Sequence, residues 1–139
     1  MKFKAKFIAF TGALLLAGSS FAAFKAPPVC PSVSAIKAQG VSQAQQLIDH
    51  LYIDYEIHQY NTELNWVFAV GPFEGQSAED ALEVGNKALR YLSGNPISEP
   101  DEDFWVCLYE LDNEHFAVAL QSDRMPLPYK LHKYFTKKA

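Results

Sequence analysis

The sequence predicts an α+β fold: a two-layer sandwich in which two hairpins build a four-stranded antiparallel sheet with helices on one face. Three observations carry this expectation. Apolar residues recur at period two in 51–60, 65–73, 104–111 and 115–122, the pattern of half-buried strands. A stripe at helical spacing occupies 77–92, between the two strand pairs. The chain has 139 residues, 49% of them hydrophobic and only 7 of them Gly, which suffices for one core, falls short of two, and excludes a disordered or fibrous chain.

Residues 1–22 read as a secretory signal peptide. Lys2, Lys4 and Lys6 form a basic start, Phe7 to Ala17 is apolar, and Ser20 and Ala22 place small side chains before a cleavage point. The apolar run is far shorter than the roughly 20 residues a membrane-spanning helix needs. The alternative is an amphipathic or anchoring helix. Ser19 stands where a lipoprotein signal would carry cysteine. The expected product is exported, periplasmic or secreted, with no integral membrane segment after processing. It would comprise a single domain over 23–123 and a basic C-terminal tail over 124–139.

Charge is divided along the chain. Residues 23–123 hold 4 basic and 16 acidic side chains, a net of −12. Arg124, Lys130, Lys133, Lys137 and Lys138 form an acid-free tail. An acidic body repels phosphates and excludes nucleic acid as a partner. For the tail, folding back onto the acidic body is preferred over contact with an anionic membrane.

Export would put Cys30 and Cys107 in an oxidising compartment, where two thiols usually pair. The alternative is a reactive or metal-binding thiol, but neither cysteine has a C-x-x-C partner or a nearby histidine. Phe24 to Ser32 is proline-rich and extended, leading into the bridge. Ser32 or Ser34 caps a helix over 33–40, with Gly40 as its stop. A second short helix is expected over 42–50, with Ser42 as cap and Ala44, Leu47 and Ile48 at helical spacing.

The first hairpin pairs 51–60 with 65–73. If Tyr60 faces Asn65, Ile57 faces Phe68, Tyr55 faces Val70, and one face is consistently apolar. In the helix over 77–92, Ser77 with Asp80 approximates a capping box, acids crowd the N-terminus, and Lys87 and Arg90 lie near the C-terminus. Ala78, Ala81, Leu82, Gly85, Ala88, Leu89 and Leu92 form its stripe, whose small residues permit a close approach to a sheet. Residues 95–103 read as a solvated acidic loop, because Asp101, Glu102 and Asp103 lack the spacing of a calcium loop. The second hairpin turns at Asp112-Asn113-Glu114 and is apolar on both faces.

No reaction is selected by the residues present. His50, His58, His115 and His132 make no i,i+4 pair and no H-E-x-x-H motif, and neither G-x-S-x-G nor a phosphate-cradling glycine loop occurs. No catalytic residue and no metal ligand is assigned. The aromatic content is more informative, with 7 Tyr, 10 Phe and 2 Trp. If helices cover the face of Val106, Leu108, Phe116 and Val118, the opposite face carries Trp105 and Tyr109, and by parity His58, Tyr60 and His115. These five are the candidate ligand-binding residues, suited to a flat apolar ligand or to a second copy of the chain as a homodimer. The alternative is that the proline-rich N-terminal segment covers this face, held there by Cys30–Cys107. One bulge in the second hairpin would exchange the two faces.

Three stretches of the mature chain carry a family resemblance: Cys30-Pro31-Ser32-Val33-Ser34-Ala35-Ile36-Lys37, Tyr60-Asn61-Thr62 through Asn65-Trp66, and Trp105-Val106-Cys107-Leu108-Tyr109. Following a signal peptide, they resemble a small family of exported bacterial proteins best known from intracellular gammaproteobacterial pathogens, a domain of unknown function. Some members are named hemin-binding proteins. The resemblance implies export and a role in haem acquisition, and it carries no ligand residues over to this chain. The expected function is therefore a small, non-enzymatic exported binding protein with hemin as the first ligand. The alternative is a secreted protein-interaction factor or inhibitor acting on envelope or host proteins.

Overall fold

The computed structural model describes residues 27–101 and 104–121. The proposed signal peptide, Glu102, Asp103 and the basic tail lie outside the described residues. Helix α1 (Val33–Gln39) begins at Ser32, whose Oγ accepts from the Ala35 amide at 3.1 Å, and stops at Gly40, whose φ of 72° is left-handed. Helix α2 (Ala78–Ala88) continues into a 3-10 turn at Leu89–Tyr91. Ser77 Oγ accepts from the Asp80 amide, and Asp80 Oδ2 accepts in return from the Gln76 amide. This is a capping box displaced by one residue.

The sheet corrects the expected fold class. Among the described residues it has six strands rather than four, is antiparallel throughout, and is accompanied by two short helices, a mostly β layout. In chain order the strands are β1 (Gln43–Ile48), β2 (Leu51–His58), β3 (Trp66–Glu74), β4 (Ser98–Asp101), β5 (Phe104–Tyr109) and β6 (Phe116–Gln121). Their spatial order is β1-β2-β3-β6-β5-β4, so the two unexpected strands are the two edges. The segment read as a second helix is β1. It hairpins onto β2 through Asp49 and His50, the latter at φ 64°. Only six residues long, it is too short for helical propensity to outweigh a full antiparallel ladder. Part of the segment read as an acidic loop is β4, where Pro100 is tolerated because only one side of an edge strand pairs.

The first hairpin also differs in register. Glu56 rather than Ile57 stands opposite Phe68, and Asp54 rather than Tyr55 opposite Val70. The loop sets this shift. Thr62 Oγ1 donates to the Gln59 carbonyl at 2.6 Å and accepts from Trp66 Nε1 at 3.1 Å, while Tyr60 and Asn61 both take positive φ. A one-residue slip sends every β2 side chain to the other face. Ile53, Tyr55 and Ile57 therefore share a face with Val67 and Ala69, whereas Asp54 and Glu56 share one with Trp66, Phe68 and Val70.

Both helices pack on the face of Phe68, Val70, Cys107, Tyr109, Ala117 and Ala119. That reverses the expected assignment for the second hairpin, whose Val106, Leu108, Phe116 and Val118 point the other way. Since both faces of β5 and β6 are apolar, alternation alone could not distinguish them. The second face forms its own cluster of Ile53, Val67, Ala69, Val106, Val118 and Leu120, all from strands and all at most 4% exposed.

Cys30 and Cys107 are disulfide-bonded, with Cα atoms 6.0 Å apart. Two hydrogen bonds hold the same N-terminal segment: Tyr109 OH donates to the Pro31 carbonyl at 2.6 Å, and Ser98 Oγ to the Pro28 carbonyl at 2.8 Å. Asn86 ties α2 to the strand entry, accepting from the Val41 amide and donating to the Val41 carbonyl, both at 3.0 Å. Among the described residues no helix is long and apolar enough to cross a membrane.

Cys30 and Cys107 are 77 positions apart. Closing a loop of that length contributes about 4.5 kcal/mol through the unfolded chain. Replacing both cysteines by serine is expected to lower the unfolding free energy by that order in chemical denaturation. A loss under about 1 kcal/mol would show that the segment's other contacts hold it without the bridge.

Candidate functional site

The face expected to lie open is covered. The segment 27–32 and α1 lie over it, and the five candidate residues divide into three environments. Tyr109 is 9% exposed, donates its hydroxyl to Pro31, and packs edge-on against Phe68 with ring centroids 5.8 Å apart. Tyr60 is 2% exposed, with its ring in the core and its hydroxyl without a hydrogen-bond partner among the described residues. Burial raises both phenol pKa values. Glu56 adds to the effect at Tyr60, and Tyr60 adds to it at Tyr109. Neither phenol offers a ready oxygen ligand.

His58 is exposed at the end of β2. Its Nδ1 accepts the Tyr60 amide at 2.8 Å, and its ring lies 4.9 Å from the Tyr60 ring. Trp105 is half-buried and lines a groove of about 580 Å³ with Pro27, Pro28, Val29 and the 61–64 loop.

His115 is built differently. It follows the turn between β5 and β6, where Asp112 Oδ1 accepts the backbone amides of Glu114 at 2.8 Å and His115 at 2.9 Å. Both Asp112 carboxylate oxygens also meet His115 Nδ1, at 2.9 and 2.8 Å. Partial burial pulls the Asp112 pKa upward, but hydrogen bonds from the His115 ring and the two amides outweigh it, so the carboxyl titrates below its usual range. The other flank of the imidazole lies on Phe73, centroids 4.7 Å apart. A carboxylate on Nδ1 fixes the tautomer and turns Nε2 into the nitrogen that can meet a ligand. This pair borders a groove of about 520 Å³ whose walls include Tyr109, Leu111 and the exposed Leu108 and Phe116.

The sequence reading selected His115 but missed Asp112 and Phe73. The Asp112-Asn113-Glu114 turn was the available signal for the first, since an aspartate opening such a turn binds amides two and three residues on. Phe73 comes from β3 and could be found only through the sheet order. Among the described residues no cluster of three or more His, Cys, Asp or Glu side chains could hold a metal ion.

The family described as a domain of unknown function (DUF4949) matches residues 29–134. The chain belongs to that family. No curated protein and no solved structure matches the chain. The DUF4949 match begins beside Cys30 and takes in both cysteines, all six strands and the Asp112–His115 turn.

A second feature of this DUF4949 domain involves buried chemistry. Asp54 is fully buried on the helix-covered face, and neither carboxylate oxygen has a hydrogen-bond partner among the described residues. Burial raises its pKa from 3.8 to about 8. Gly85 of α2 leaves room for it: a Cβ there would overlap Asp54 Oδ2 and approach Cγ to 3.0 Å. The carboxyl is thus protonated in the folded chain at neutral pH and ionised in the unfolded one. Unfolding releases a proton between pH 3.8 and about 8, so stability falls as pH rises through that window. Asp54→Asn is expected to change stability little near pH 4 and to exceed the wild type by a margin growing to a few kcal/mol near pH 8 in denaturation midpoints. A margin independent of pH would refute a buried neutral acid. Gly85→Ala should cost about 1–3 kcal/mol, most of it recovered when Asp54→Ala is added.

Proposed function

We propose that the protein is an exported, non-enzymatic binding protein that takes hemin, or a similarly flat apolar molecule, at the turn between β5 and β6. The observation that carries this reading is the Asp112–His115 pair beside an apolar groove. A carboxylate-oriented imidazole is the usual arrangement of a metal-ligating histidine. A volume of about 520 Å³ lies within the range of small-molecule sites. Leu108 at 48% and Phe116 at 39% exposure give the groove apolar rims. Export is supported by the basic and apolar start of the chain and by the disulfide. The family resemblance names hemin.

A second reading rests on a different observation. Val29 and Ile97 are each 75% exposed and line a shared groove beside Cys30. Exposed aliphatics, one on the disulfide-fixed segment and one just before β4, suit a protein partner, as an interaction factor or inhibitor would need.

Titrating the oxidised protein with hemin separates the two. A saturable one-to-one Soret shift is expected, abolished by His115→Ala, weakened roughly tenfold by Asp112→Asn, and kept by His58→Ala. Adsorption that never saturates, or binding indifferent to His115, would overturn the hemin reading and leave the Val29–Ile97 groove as the surface to probe.

A further inference from the structure

The two edges of the sheet differ in chemistry. An edge strand presents a row of backbone N–H and C=O groups with no neighbour, and proteins guard such a row with charge or proline. Strand β4 is guarded in this way by Glu99, Pro100 and Asp101. Strand β1 is not. Gln43-Ala44-Gln45-Gln46-Leu47-Ile48 holds no charged residue and no proline. It pairs with β2 along one side, and among the described residues no strand pairs with the other. Gln43 and Gln46 are exposed, and Ile48 is 62% exposed. The ladder is regular from Gln43 to Gln46 and shifts only between Gln46 and Ile48. In a regular stretch, alternate residues direct both backbone groups outward.

We propose that β1 is a docking edge for an extended, cationic peptide segment of another protein, added to the sheet as a further strand. Strand addition takes its affinity from main-chain hydrogen bonds, which an unguarded edge offers to any extended chain. The charge around the edge selects the occupant. From residue 38 to residue 86 the chain has no Lys or Arg and 8 Asp or Glu. That stretch supplies β1, β2, β3 and most of α2, which packs on all three strands.

Acids stand along the edge itself. Glu56 lies at its start, where it accepts from Ser42 Oγ at 2.6 Å, and Asp49 follows its end. On α2, Asn86 bonds the Val41 backbone just ahead of β1. Glu79 stands two helical turns before Asn86, on the same side of the helix. The first base beyond this stretch, Lys87, is paired with Glu83 at 3.7 Å. A second copy of the chain would set another acidic edge against this one, so the charge that favours a basic strand opposes a dimer. The edge is separate from both the His115 turn and the Val29–Ile97 groove.

The test uses the isotope-labelled, oxidised protein and an acetylated octapeptide of alternating Lys and Val. Saturable shifts are expected in the amides of 42–49, with slowed hydrogen exchange at alternate amides of β1. The same peptide methylated on every backbone nitrogen keeps its charge but donates no main-chain hydrogen bond, and should bind at least about tenfold more weakly. Gln43→Lys with Gln46→Lys should weaken the unmodified peptide severalfold, while the β2 and β3 amide signals report whether that variant still folds. Binding that never saturates, equal affinity of the methylated peptide, or shifts centred on α2 away from β1 would reduce the contact to charge attraction and overturn the proposal. A dimer in sedimentation whose β1 amides resist exchange without peptide would assign the edge to a second copy and overturn it too.

Discussion

Strand β3 sets the terms for the rest of the molecule, because it is apolar on both faces and central. Trp66 to Val70 are five consecutive residues of 0–1% exposure. A strand of that kind needs a neighbour on each edge and a layer on each face. β2 and β6 supply the edges; α1, α2 and the N-terminal segment supply one face. The register of β2 follows from the Thr62-centred loop, which places Asp54 rather than an aliphatic side chain beneath α2. Gly85 is the consequence on the helix side: the helix comes close only because that position has no side chain.

Legibility followed where local chemistry was strong. Ser32, Ser77, Asp80 and Gly40 are capping residues whose hydrogen bonds or backbone conformation act within one turn, so both helices were readable. The four inner strands alternate, or are continuously apolar, and were readable too. The edges were not. β1 carries Ala44, Leu47 and Ile48 at a spacing that fits a helix as well as a strand buried on one side. β4 holds Glu99, Pro100 and Asp101, the residue types that protect an edge from pairing and also mark a loop. Register and face were beyond reach for a related reason. A two-sided hairpin carries no alternation to decide which side receives the helices.

Of the five aromatic and histidine candidates, the fold uses two for itself. Tyr109 fastens Pro31, and with Cys107 and Ser98 it makes the N-terminal segment a fixed wall instead of a tether. Tyr60 fills the core between β2 and its loop. Tyr60 and Tyr109 share a face with His58, Trp105 and His115, and that face is the one the helices take. What distinguishes His115 is its position at a hairpin end, past the cover. Its ring is held on one side by Asp112 and on the other by Phe73, so it is oriented without being enclosed.

The same core contains two polar groups with no described partner, the Asp54 carboxyl and the Tyr60 hydroxyl. Each unsatisfied buried group costs about 1–3 kcal/mol, and at neutral pH Asp54 adds the work of keeping a proton the unfolded chain gives up. A domain of this size has only about 5–15 kcal/mol of net stability. The Cys30–Cys107 bridge contributes an amount comparable to that deficit. An aliphatic residue at position 54 would remove the carboxyl's share of that deficit and leave the share of Tyr60. With aspartate at position 54, α2 rests on the sheet through a group whose charge depends on pH, while the covalent link lies on the other side of the sheet's midline, between the N-terminal segment and β5. Stability in this fold is therefore divided: the half around β5 and β6 is fixed by covalent and hydrogen-bonded contacts, and the half beneath α2 is conditional on a proton.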